Sequence, residues 1–209
     1  MRISLKRSLR WTAAQLSRDG ETICRLWAEL YGQLAIEEAA LLFRLARGKS
    51  RIVEIGSYRG KSTIMIATSA GPGSHVWAID PHIEFAGNGV AGYSDEDQRV
   101  LEAALVANNV ADRVTHWPIS SRAAFARWQA ALPVPDLDMV FIDGDHNYAE
   151  VLFDLMSWAP HVARGGTIAC HDYTHCAGVE QAWSEVIAAH PKLWAPGASA
   201  RSLIAATRL

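Results

Sequence analysis

The chain has 209 residues, half of them apolar, with 20 basic and 22 acidic side chains and a formal charge of −2. That length supports one domain with a substantial core rather than two. Balanced charge without like-charge runs argues against nucleic acid and anionic membrane surfaces, and no apolar run reaches spanning length.

Arg2, Lys6, Arg7 and Arg10 resemble the basic start of a signal peptide, but no apolar stretch follows, so they read as a solvated helix face. Cys24, Cys170 and Cys176 are too few for a disulfide framework, and the chain reads as cytoplasmic with a small-molecule partner. Homo-oligomerisation stays open.

Residues 1–50 form a helical N-terminal cap: Leu26, Leu30 and Leu34, then Leu41, Leu42 and Leu45, recur at helical spacing, interrupted by Gly20, Gly32 and Gly48, with no chemistry visible. From Arg51 onward, short apolar runs alternate with helical stretches, which predicts a doubly wound, mostly parallel α/β sheet over residues 51–209. The expected strands are Arg51–Ile55, Val76–Asp80, Val114–Trp117, Leu137–Ile142 and Thr167–Cys170. Lys192–Trp194 and Ser202–Thr207 form a last antiparallel pair around a Pro196-Gly197 turn.

Helices are expected from Lys61, over Asp97–Asn108, Ser121–Ala131, Tyr148–Val162 and Val179–His190, with Gly165-Gly166 ending the segment before the fifth strand. Residues 81–95, with Gly87, Gly89 and Gly92, read as a long lid or substrate loop, and Pro133 and Pro135 punctuate the approach to the fourth strand.

Three acids fall at the carboxyl edge of this sheet, where doubly wound folds bind ligands: Glu54, Asp80 and Asp143. The first turn reads Glu54-x-Gly56-x-x-x-Gly60, with Tyr58 and Arg59 inside it, not the Gly-x-Gly-x-x-Gly that lets a backbone approach a pyrophosphate. Its spacing suits a cofactor without phosphates.

The segment Val53-Glu54-Ile55-Gly56-Ser57-Tyr58-Arg59-Gly60-Lys61-Ser62 resembles motif I of class I S-adenosylmethionine-dependent methyltransferases, and the resemblance extends over roughly 51–209. It implies the Rossmann-like seven-stranded sheet with an antiparallel last strand. It further implies that Gly56 lets the backbone approach the cofactor and that Glu54 and Ser57 lie near its amino-acid end. Asp80 would take the ribose and Ser120 or Ser121 lie by the adenine, with Gly60, Ser62 and Asp143 completing the set. A cationic sulfonium suits an acidic cleft.

The second cluster, Asp143-Gly144-Asp145-His146 answered by Cys170-His171-Asp172, lies at the ends of two neighbouring strands, about 4.8 Å apart. Asp143 and Asp172 can converge there on a hard divalent cation such as Mg²⁺. The pattern resembles the metal-dependent O-methyltransferases of natural-product biosynthesis, of the macrolide-sugar and cephalosporin-tailoring type. His171 departs from their carboxylate or amide ligand, and as a ligand it would shift preference toward Mn²⁺, Fe²⁺ or Zn²⁺. His146 matches their general base, and an imidazole titrating near 6.5 suits removal of a hydroxyl proton.

The expected activity is therefore metal-assisted methylation of a hydroxyl on a small molecule, a sugar or secondary metabolite. The alternatives are a non-catalytic binding protein of this fold or a nicotinamide-dependent oxidoreductase. A zinc site in the run Cys170 to Cys176 lacks paired-ligand spacing, and adjacent residues at a strand end are expected to face opposite ways. Trp11, Trp117 and Trp194 are candidates for a substrate pocket.

Overall fold

The computed structural model describes residues 18–82, 94–130 and 136–209. The expectations for the basic start and Trp11, for residues 83–93 of the long loop, and for Pro133 and Pro135 lie outside these.

Two helices, α1 (Arg18–Glu29) and α2 (Ile36–Ala46), precede the sheet. Strand β1 (Arg51–Ile55) leads through the glycine turn into α3 (Lys61–Ala70) and then β2 (His75–Ile79). After the undescribed loop come α4 (Asp95–Ala107), β3 (Val114–Trp117), α5 (Ser121–Ala130) and β4 (Leu137–Ile142). The chain continues through α6 (Tyr148–Trp158), β5 (Val162–Cys170), α7 (Ala177–Trp183), β6 (Trp194–Ala200) and β7 (Leu203–Arg208).

The sheet order is β3-β2-β1-β4-β5-β7-β6, and β7 alone runs antiparallel to its neighbours. Alternating side chains divide the core between its faces. Ile52, Met139 and Phe141 pack with α1, α2, α3 and α4 on one side, while Val53, Val140 and Ile142 pack with α5, α6 and α7 on the other. Leu26, Leu41 and Leu42 share the first cluster with Ile64 and Met65, so the N-terminal helices are continuous with the sheet's core. None of the described helices is long and apolar enough to cross a membrane.

Several boundaries differ from the sequence expectations for local reasons. α4 starts at Asp95 because Ser94 caps it: its hydroxyl accepts from Glu96 N, and Asp97 accepts from Ser94 N at 2.8 Å. The helix expected over Tyr148–Val162 ends at Trp158 and passes into a 3₁₀ turn at Ala159–His161, where Pro160 interrupts. α7 loosens into a π turn over Ser184–Ala188 before His190. Leu34 lies in the connection between α1 and α2 rather than in a helix, yet it is buried.

Gly165-Gly166 does not precede the fifth strand but lies inside it. Gly165 takes φ 77° and lets the strand shift register between Leu137 and Met139 of β4. The last hairpin turns at Arg201-Ser202, with Arg201 at φ 50°, while Pro196 and Gly197 form an irregularity within β6. An edge strand tolerates the missing proline N–H.

Candidate active site

The strand registers place the site. Ile55 pairs with Ile79 and with Ile142, and Ile142 pairs with Cys170, so the residues just beyond share one edge: Gly56, Asp80, Asp143 and His171. β1 lies between β2, to which the chain first turns, and β4, on the other side, and the crevice opens at that divergence. A cavity of about 530 Å³ occupies this edge, a size suited to a nucleoside-sized ligand. Gly56, Ser57, Ser62, Asp80, Ser120, Ser121, Asp143, His146, His171 and Asp172 all line it, as the sequence led one to expect.

Gly56 is required by close approach. At φ 88°, a Cβ would stand 2.1 Å from the Asp143 carbonyl oxygen. The strand ends are tied there, Asp143 N donating to Ile55 O at 2.7 Å and Gly56 N to Ile79 O at 2.8 Å. Asp80 Oδ2 accepts from Tyr58 N at 2.8 Å and Oδ1 from His82 N at 2.9 Å, which fixes the carboxylate while each oxygen keeps a further lone pair. Ser57 Oγ is buried, lines the cavity and has no hydrogen-bond partner among the described residues, an acceptor and donor held ready for a ligand.

Glu54 and Gly60 do not reach the cavity wall. Glu54 has the same strand parity as Ile52 and so points beneath α3, where it is fully buried and accepts from Thr63 Oγ1. Burial pushes its carboxyl up to about 8, so near neutral pH it is largely protonated and supplies little of the cleft's negative charge. Gly60 caps α3 behind the turn. Trp117 and Trp194 are buried in the core and line no part of the cavity.

At the other end of the cavity His171 is surrounded by acids. Its Nδ1 lies 3.0 Å from Asp143 Oδ1 and 3.1 Å from Asp172 Oδ2, and its Nε2 lies 3.2 Å from Glu38 Oε2. Burial opposes its charge, but Asp143 and the hydrogen bonds to Asp143, Asp172 and Glu38 prevail and push the imidazole up to about 12. Asp172 has φ 56°, and this left-handed turn brings it to the same side as His171, contrary to the alternation expected at a strand end.

His146 is half-exposed, with Nε2 3.1 Å from Asp172 Oδ2; that hydrogen bond raises its pKa above the ordinary value of 6.5. The bonds from His146 and His171 hold the Asp172 carboxyl well below the usual carboxylate range. Asp145 shapes the loop carrying His146 by accepting from Asn147 N at 2.7 Å, an Asx turn. Cys176 also approaches: a ligand atom from each of His146, Asp172 and Cys176 falls within 4.8 Å of the others. The three cysteines are free.

Glu38 is among the residues that the sequence did not reveal, as are Tyr31, Gln33 and Asp154 of the cavity lining. Glu38 lies on α2, in the segment read as a cap without chemistry, and accepts from Ala35 N at 2.8 Å, Ser202 N at 2.9 Å and Ser202 Oγ at 2.7 Å as well as from His171. An i, i+3 acid at a helix start looks like helix capping; only the fold brings it against β5 and the β6–β7 turn. Glu38→Ala would leave His171 Nε2 and the Ser202 N–H buried without their acceptor, at a cost of about 1–3 kcal/mol for each. Thermal melting should show it as a clear fall in Tm.

The pH dependence has a definite sign. Although burial works the other way, the His171 and Ser202 hydrogen bonds lower the Glu38 carboxyl from 4.5 to about 2. Its contribution to stability is therefore complete above pH 4.5 and is lost as pH falls toward 2. Acid titration of Glu38→Gln should lack this portion of the loss.

The sequence matches, over residues 53–173, the family described as a methyltransferase domain. The fold is similar to cofactor-bound Rv0187 from MTB, with a TM-score of 0.68 and 20% identity, covering 98% of this chain and 95% of that one. It is also similar to the O-methyltransferase from Bacillus cereus in complex with SAH, with a TM-score of 0.66 and 16% identity, covering 96% of this chain and 97% of the other. The uncharacterized protein y4gI of Sinorhizobium fredii is 26% identical over 149 residues, 68% of this chain; the match spans only 16% of that relative's length.

Proposed function

The chain belongs to the methyltransferase-domain family, and on that premise we propose that it moves the methyl group of S-adenosylmethionine onto a hydroxyl oxygen of a small molecule, with His146 accepting the hydroxyl proton. The observation that carries this reading is the pairing of His146 with Asp172 inside the cavity that also holds Ser57 and Asp80. A sugar or other polyol of secondary metabolism is the acceptor class that the sequence resemblance suggests.

Each residue then has a task at a stated atom. The Nε2–H of His146 donates to Asp172 Oδ2, which leaves Nδ1 as the acceptor for the substrate proton. Asp172 orients the ring and favours the imidazolium that results, the role a carboxylate plays behind any histidine base. S-adenosylmethionine, when bound, would supply the methyl group from its sulfonium and leave as the neutral thioether S-adenosylhomocysteine. Asp80 and Ser57 fix the donor against the acceptor, and such orientation alone can remove roughly 7–11 kcal/mol of barrier. The ionised acids of the edge favour a cationic donor over the neutral product.

The residues also fit a divalent cation. Asp143, His171 and Asp172 offer ligand atoms within 4.8 Å of one another, and Glu38 backs the far nitrogen of His171 as second carboxylates do for metal-bound histidines. Two carboxylate oxygens with one imidazole nitrogen favour Mn²⁺, Fe²⁺ or Zn²⁺ over Mg²⁺. Such an ion, when bound, would lower the pKa of an acceptor hydroxyl. Ion and proton compete for His171 Nδ1, so Mn²⁺ affinity measured by calorimetry should rise with pH and be accompanied by proton release. Pure pH independence would remove His171 from the ligand set.

Calorimetry with S-adenosylmethionine, followed by an acceptor screen read by mass spectrometry for added methyl groups, tests the reading. Absence of S-adenosylmethionine binding under conditions where the chain is folded would refute it.

A further inference from the structure

Cys176 has no part in the chemistry above, yet its thiol stands beside the residue assigned as base. A ligand atom from each of His146, Asp172 and Cys176 falls within 4.8 Å of the other two. The run from Cys170 to Cys176 supplies only Asp172 and Cys176; His146 comes from the loop after β4, and two backbone features press that loop and the start of α7 together. Asp172, at φ 56°, turns the chain so that His175 N and Cys176 N both donate to its carbonyl, at 3.0 and 2.9 Å, which brings Cys176 back beside it. Gly178 then lies directly on the 146–148 loop: a Cβ there would stand 2.5 Å from His146 O and 2.7 Å from Tyr148 N.

The three donors are a thiol, an imidazole and a carboxylate. Hard ions prefer oxygen alone, whereas sulfur with nitrogen selects Zn²⁺, for which Co²⁺ is a coloured substitute. Ligand atoms around one tetrahedral zinc stand about 3.3–3.6 Å apart, given bonds of roughly 2.0–2.3 Å. His146 Nε2 and Asp172 Oδ2 are already 3.1 Å apart. The sulfur closes in by rotation of the Cys176 side chain, which makes no disulfide and no cap hydrogen bond at the start of α7. His146 is half-exposed, so a water can take the fourth position. This group shares only Asp172 with Asp143 and His171, the inner group that contains no sulfur.

We propose that His146, Asp172 and Cys176 form a zinc site that switches the enzyme off by occupying its base. The site stands on these side chains alone; the inhibition rests on the methyltransferase reading with His146 as base. A neutral imidazole bound to an ion through Nε2 carries its proton on Nδ1, the very atom needed to accept the substrate proton. The ion also takes the Asp172 oxygen that otherwise orients the ring. Zinc therefore removes the base and its orienting carboxylate in one step, and the thiol proton is released to solvent as the sulfur binds.

Titrating the reduced native chain with Co²⁺ tests the site without any substrate. A thiolate-to-cobalt charge-transfer band in the near ultraviolet should appear. It should be absent from Cys176→Ala and retained by Cys24→Ala and by Asp143→Asn, which loses a ligand of the inner group only. In the Asp143→Asn background, adding Cys176→Ala should weaken Zn²⁺ binding, read by competition with a chromophoric chelator, by more than the roughly 10–100-fold that loss of an outer-shell partner costs. Circular dichroism establishes that each variant is folded. No band from the native chain, the same band from Cys176→Ala, or loss of the band in folded Asp143→Asn would overturn the site. For the inhibition, methyl transfer to an acceptor found by the screen should be suppressed by Zn²⁺ in the native chain. Cys176→Ala should match the native rate without zinc and need at least about tenfold more zinc for the same suppression. Equal sensitivity would overturn the inhibitory role and leave the site standing. A native chain that gives the band but binds no S-adenosylmethionine would overturn the methyltransferase reading, and the inhibition with it, but not the site.

Discussion

Replacing His146 with alanine is expected to lower kcat by about a hundredfold to ten-thousandfold, the range associated with loss of a general base, while S-adenosylmethionine affinity stays within a fewfold. The separation follows from where the residue stands. His146 touches Asp172 at the acceptor end, and the residues assigned to the donor, Ser57 and Asp80, lie over β1 and β2. The native pH profile should carry the same signature. A base works deprotonated, and the Asp172 hydrogen bond raises the His146 pKa above 6.5, so the acidic limb of kcat should fall with a midpoint above 6.5. The limb should be absent from whatever activity the alanine variant retains. An unchanged kcat with an unchanged profile would make His146 a structural residue of the turn before α6.

Gly56→Ala should be the most damaging glycine-to-alanine substitution among the described residues. The new methyl group would stand 2.1 Å from the Asp143 carbonyl oxygen and 2.7 Å from Gly144 N, and both obstacles are backbone. Relief requires parting the ends of β1 and β4, which carry the Asp143 N to Ile55 O bond. A left-handed φ of 88° adds strain for any residue with a Cβ. The combined cost should exceed about 3 kcal/mol, in the range of changes that break a backbone constraint in a core. For a domain of this size that is a fall in Tm of roughly 6–12 °C. S-adenosylmethionine binding should be lost even at temperatures where the variant is folded, because Gly56 and Asp143 both line the cavity. Gly165→Ala is the control: its φ is 77°, but nothing lies within 4 Å of the added Cβ, so only the strain of about 1–2 kcal/mol is expected and binding should persist.

The difference between these two glycines shows how far a sequence reading reaches. Both punctuate the pattern, and Gly56 stands out because an apolar run precedes it and a helix follows. Nothing local states that the carbonyl of residue 143 will lie against it. Similarly, Asp80, Asp143, His146 and Asp172 are legible as residues of the candidate site because each follows a strand, and parallel strands in register end at one edge. Glu54, two residues before that edge, lies inside β1 and points under α3 to meet Thr63. A carboxyl two residues from the edge and a carboxyl at the edge look alike in one dimension.

The sequence pattern points to a last turn at Pro196-Gly197, whereas the chain turns at Arg201-Ser202, for a related reason. Pro-Gly is a strong turn signal, yet an edge strand accommodates it as an irregularity, and the actual turn brings Ser202 onto Glu38.

By itself the sequence determined the class of fold, the edge on which the site lies and the acids and histidines that face it, since alternation, strand order and glycine spacing are local properties that add along the chain. Tertiary structure alone decided the partners. Glu38 meets His171 across 133 positions and Ser202 across 164, a link that ties the cap helix to a histidine of the cavity. Asp154 meets Ser121 across 33. Contacts of that span are set by how helices pack on the two faces of the sheet, and side-chain charge states, such as that of His171 among three carboxylates, exist only once packing has removed water from around them.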